Sequence, residues 1–158
     1  MTWRRQAIEL TLAGVLLTAG AMAYITLRSR GLLGFGLLDA AGLGPLSDSW
    51  RQWCHGRVAL HTFAVYCLPG GLWAAAYVLV TDAVFAALAP APRLALAAVI
   101  PVLGIASEAL QALRWLPGTP DPLDALCYAA PLAAYALTLH LSPRANHSSP
   151  AHITPPLS

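Results

Sequence analysis

The residues with chemistry to offer crowd into one stretch, Ile105 to Tyr128, which carries Glu108, Gln111, Asp121 and Asp124. Three of the chain's seven acidic residues lie in it. Carboxylates grouped this way can hold a hard cation, accept hydrogen bonds from a headgroup, or divide acid and base roles between them. On a helix, residues three and four apart share a face. Glu108, Gln111 and Trp115 therefore form one stripe, with Arg114 at its shoulder. Glu108 falls about five residues inside its apolar run, roughly 8 Å deep at 1.5 Å rise per residue. A charge at that depth needs a partner, a proton or water. Arg114 is the nearest cation in sequence, and another span is an equal source.

Asp121 and Asp124 admit two readings. Asp121 is a good N-cap, Pro122 suits the first helical position, and Asp124 falls at the third, where the helix dipole favours an acid. Alternatively, the turn from Pro117 to Pro122 folds the two helix ends together, so that Glu108, Gln111, Asp121 and Asp124 face one polar pocket. Asp82 is a separate acid near the middle of the run Leu72 to Leu88. It is a functional candidate by its setting, or a hydrogen-bonding partner for a neighbouring helix.

The elements that must position these groups are membrane helices. The chain is 58% hydrophobic and 10% charged, against about a quarter charged in soluble domains, and its mean hydropathy is +0.62. The net charge of +2 comes with scattered arginines and no basic stripe, which argues against nucleic acid. Cys54, Cys67 and Cys127 are odd in number and far apart, implying no disulfide framework. Cys54, His55 and His61 lack the tight paired spacing of a zinc site, so no metal ligand and no cofactor is assigned.

Four apolar runs are expected to cross the bilayer: Ala7 to Leu27, Leu72 to Leu88, Leu94 to Leu113, and Pro122 to Leu141. The first is read as a retained helix rather than a signal peptide, because it continues past Ala21-Met22-Ala23; its acid, Glu9, is expected to reach the headgroups. Gly31 to Leu46 is too short and broken to span and reads as a loop or interfacial segment. Trp50 and Trp53 sit among the charges of Ser47 to Arg57, as a chain riding the headgroup region does. Val58 to Cys67 is expected to lie along that interface or dip into it, and Pro90-Ala91-Pro92-Arg93 as a tight break. The architecture is thus an all-α membrane protein of about four transmembrane helices, with an interfacial segment between the first and second. It forms one domain over residues 1–141, followed by a disordered tail, 142–158. Arginines divide almost evenly between the two sides, so the positive-inside rule leaves orientation open.

Glu108-x-x-Gln111, Arg114, and Gly118-Thr119-x-Asp121-x-x-Asp124 together resemble the VanZ-like family of small bacterial membrane proteins. Leu68-Pro69-Gly70-Gly71-Leu72-Trp73 is similar to an upstream element of one branch, which carries Asp where this chain has Gly70. The resemblance runs from about Leu68 to Tyr135. It implies a multi-pass protein of the bacterial cytoplasmic membrane whose biochemical activity is unknown. Two functions are expected from these residues. The first is a non-enzymatic protein whose partner is a lipid or cell-envelope headgroup, or another membrane protein, bound at a polar pocket around Glu108. The second is an intramembrane enzyme acting on a lipid-linked substrate with the carboxylates, metal-assisted or not. The first is preferred, since the chain shows no nucleophile arrangement and no phosphate loop.

Overall fold

The computed structural model describes residues 3–31, 33–55 and 67–141. They form six helices and, among the described residues, no strand: α1 (Trp3–Leu27), α2 (Leu33–Ala40), α3 (Gly44–Cys54), α4 (Leu68–Val84), α5 (Pro90–Ala112) and α6 (Pro122–Leu141). Three of these, α1, α5 and α6, are long and apolar enough to cross a membrane. Little of any of them is buried within the bundle, so their apolar surface is left for a bilayer. The fourth apolar helix, α4, has 17 residues, about 25 Å of rise. The expected tail, 142–158, and most of the stretch before Cys67, including His61, lie outside the described residues.

Helix α4 is the axis on which the others pack. It touches α1, α5 and α6, and its buried residues include Ala74, Ala76, Val78 and Ala83. These side chains are short, so neighbouring backbones approach closely, as membrane helices require when no hydrophobic effect drives them together. The chain runs up and down: Gln6 Nε2 donates to Ala83 O at 3.0 Å, while Gly20 lies against Trp73 and Pro69 at the other end of α4. Tyr77 O–H donates to Leu96 O at 2.9 Å and Asp82, later in α4, meets Arg93, earlier in α5, at 3.2 Å, so α5 runs antiparallel to α4.

Several boundaries differ from the sequence reading. The second apolar run begins at Leu68 rather than Leu72, because Pro69 in a first turn gives up an N–H that has no helical partner anyway. It ends at Val84, with Phe85 N–H closing onto Thr81 O. Asp82 therefore sits in the last turn, not near the middle. Pro90 opens α5 for the same reason that Pro69 suits α4, so the expected break is a helix start. Gly31 to Leu46, expected as a loop or interfacial segment, is largely helical and contains α2 and the start of α3. Gly42 ends α2 at φ +74°, with Leu43 N–H on Leu38 O and Gly42 N–H on Asp39 O, the Schellman arrangement that glycine makes easy.

The α2–α3 pair is fastened to the end of α1. Arg51 Nη1 donates to Ile25 O at 2.6 Å and Arg28 O at 2.7 Å, satisfying carbonyls that a helix C-terminus leaves open. Arg30 pairs with Asp39 at 2.8 Å and Asp48 at 2.9 Å. Phe35 is fully buried, with the Arg30 and Arg51 guanidinium carbons 5.3 and 5.2 Å from its ring centre and Tyr24 stacked at 5.5 Å.

A second fastening ties four helices together around Asp82, which is 3% exposed. Its Oδ2 accepts from Arg5 Nη2 at 3.0 Å. Its Oδ1 accepts from Tyr135 O–H at 2.6 Å and faces Arg93 Nη1 at 3.2 Å. Arg5 Nε also donates to Glu9 Oε1 at 2.7 Å. Glu9 is buried, contrary to the expectation that it reaches the headgroups, because Arg5 one turn earlier neutralises it. Removing Asp82 strands Arg93, so Asp82→Ala is expected to cost roughly 3–5 kcal/mol and Tyr135→Phe about 1–3 kcal/mol. Thermal unfolding in detergent checks this order; an Asp82→Ala protein that melts with the wild type would show the network to be idle.

Candidate functional site

At the opposite end of α4, three helix termini converge. Helix α5 stops in a Schellman arrangement: Arg114 N–H bonds Gln111 O and Trp115 N–H bonds Leu110 O, both at 2.9 Å. Arg114 takes the left-handed position at φ +61°, which glycine or asparagine usually fills. It is exposed, and among the described residues no ion pair joins it to Glu108. Its place in this structure is to end the helix. Gly118 follows at φ +140°, and a Cβ there would lie 2.5 Å from Gln111 Oε1. Gln111 thus packs over the turn.

The turn carries Asp121 back to α5, where its backbone N–H donates to Glu108 Oε2 at 2.9 Å. Asp121 Oδ1 in turn accepts Leu123 N–H at 2.9 Å, as an N-cap does. In a capping box the acid at the third helical position reaches back to the N–H of the cap residue. That acid is Asp124, but Glu108 from another helix already holds the N–H. Capping therefore accounts for Asp121 and leaves Asp124 with a different environment. Asp124 Oδ1 is buried with no hydrogen-bond partner, a state that costs free energy unless something unseen satisfies it.

Asp124 faces the residue just before α4. Cys67 is 1% exposed and its sulfur lies within 4.8 Å of an Asp124 carboxylate oxygen; burial first, and then that carboxylate, push the thiol up to about 12. Cys127, one turn beyond Asp124 on the same face of α6, stands within hydrogen-bonding reach of Cys67. The sulfur of Cys67 and carboxylate oxygens of Asp121 and Asp124 all lie within 4.8 Å of one another. Tyr128 completes the wall. Its ring meets Gly104 of α5 and its hydroxyl meets Gly70 of α4, where a Cβ would approach to 2.7 and 2.9 Å.

The structure thus brings Glu108, Asp121 and Asp124 to one end of the bundle, with Gln111 against the connecting turn. Asp82 does not join them. It lies some fifteen residues along α4 from Cys67, roughly 22 Å at helical rise. Cys67, Cys127 and Tyr128 were not singled out by sequence. The spacing of Cys127 and Tyr128, three and four residues after Asp124, was the available signal for two of them; Cys67 had none. Beside this end lies an apolar cleft of about 430 Å³ lined by residues including Tyr24, Gly34, Leu37 and Trp73.

Asp121→Ala is expected to cost about 1 kcal/mol and Asp121→Asn much less, since asparagine caps nearly as well. Gly118→Ala, strained in backbone and blocked by Gln111, is expected to exceed both. Detergent melting of the three variants checks the ranking, and a Gly118→Ala protein as stable as Asp121→Asn would overturn the backbone strain assigned to Gly118 at φ +140°. Comparison of the chain with protein-family models, with curated proteins and with solved structures finds no match to any of them.

Proposed function

We propose that this is a VanZ-like protein of the bacterial cytoplasmic membrane that binds a lipid or cell-envelope headgroup at the cluster of Glu108, Gln111, Asp121 and Asp124. In this reading α1, α4, α5 and α6 all cross the bilayer. The α2–α3 pair rests in the headgroup region, with Leu37, Leu46 and Trp53 exposed for it. The observation that carries the proposal is the buried, unpartnered oxygen of Asp124, set among converging polar groups. A binding site holds such groups in place before its ligand arrives. The apolar cleft lined by Tyr24, Leu37 and Trp73 offers room for the hydrocarbon part of such a ligand.

The test is thermal stability of the purified chain in detergent as lipids of different headgroup are added. A ligand that binds only the folded state stabilises it in proportion to the logarithm of its concentration. The wild type is expected to respond to one headgroup class, and Glu108→Ala and Asp124→Asn to respond at least about tenfold more weakly in lipid concentration, a loss of roughly 1.4 kcal/mol. Equal responses from all three proteins would place lipid binding elsewhere. For the topology, single cysteines on either side of the α2–α3 pair should label from the same face of sealed vesicles; opposite faces would add a span.

A further inference from the structure

We propose that Cys67, Asp121 and Asp124 form a binding site for a divalent transition-metal ion of the zinc class. The inference deepens the headgroup-binding reading and shares its cluster, but it stands on separate observations. One is geometry: a sulfur and two carboxylates, brought from two helix starts, lie within 4.8 Å of one another. Around one zinc ion, with Zn–O about 2.0–2.2 Å and Zn–S about 2.3 Å, ligand atoms stand roughly 3.5 Å apart. Side-chain rotation of about 1 Å closes the difference. The other observation is the buried Asp124 Oδ1, which has lost water without gaining a donor. A cation is what such an oxygen accepts when no N–H or O–H is at hand.

The donor set decides the class of ion. Calcium and magnesium take oxygen ligands, whereas a thiolate among carboxylates selects zinc and its neighbours. Three protein ligands leave one position of a tetrahedral ion open. Binding replaces the thiol proton of Cys67 with the metal and releases that proton to solvent. The role of Glu108 follows from the same geometry. By taking the Asp121 N–H, it removes the competing partner that would otherwise hold Asp124 at the helix end. An open metal position is suited to an oxyanion, so an acidic cluster becomes able to hold a phosphate-bearing headgroup.

The experiment uses the full chain in detergent, stripped with chelator and titrated with Co²⁺ and Zn²⁺ under reducing conditions. One Co²⁺ per chain is expected, with a thiolate-to-cobalt absorption band that Zn²⁺ displaces. Cys67→Ser should abolish the band, and Asp124→Asn should weaken binding by at least about tenfold, the least expected when a metal site loses support. Cys54→Ser, which removes a cysteine outside the proposed ligand set, should leave both unchanged. Absence of stoichiometric binding by the folded wild type, or a cobalt complex without a thiolate band, overturns the proposal whatever the variants do. Lipid stabilisation that persists after chelation, in a chain binding no metal, removes the cation and leaves the headgroup reading standing. Metal binding without any lipid response does the reverse.

Discussion

An ionised aspartate withdrawn from water among alanines and valines must be answered by groups from elsewhere in the chain. Asp82 is answered from three directions, by Arg5, Arg93 and Tyr135. Each partner comes from a different helix, so the charge cannot be satisfied unless α1, α4, α5 and α6 are all in place. The small side chains of α4 let the helices approach, but close packing of alanines sets no unique register. The bonds to Asp82 do, because a shift of one residue rotates its carboxylate by about 100°. Buried polar groups used in this way specify an arrangement more than they stabilise it.

The other end of the bundle is built on the same requirement with a different result. There the helix termini themselves supply the unmet groups, and the chain satisfies most of them with side chains from neighbouring elements. Arg51 closes the end of α1, and Glu108 holds the start of α6. The exchange between Glu108 and Asp124 is the informative one. A local cap was available and is displaced by a long-range one, which frees a carboxylate at a point where three helices meet.

How far this was legible in the chain depends on the distance over which each feature acts. The bounds of α6 follow from Asp121-Pro122 at its start and from an apolar run of membrane length, both local signals. The short Pro/Gly-rich turn likewise forces the end of α5 against the start of α6. The α2–α3 helices were not legible, because eight or eleven residues without strong propensity are marginal alone and are held here by Arg30, Arg51 and Phe35. The partners of Asp82 were hidden for a related reason. Arg5 is seventy-seven residues away, and periodicity in one helix says nothing about which face of another it meets. Cys67 was missed because a lone cysteine before a proline turn carries no spacing signal at all.

The bonds of Asp82 also bear on how the protein is made. A chain enters the membrane from its N-terminal end, so α1 is present when α4 arrives, while Arg93 and Tyr135 are still to be synthesised. At that moment Arg5 and Gln6 are the partners at hand for the last turn of α4. Helix α4 is short and ends in an acid, a poor candidate for entering lipid alone. It is escorted by α1, and its charge is fully neutralised only once α5 and α6 follow. The bonds from α1 are thus the first that the growing chain can complete around the last turn of α4.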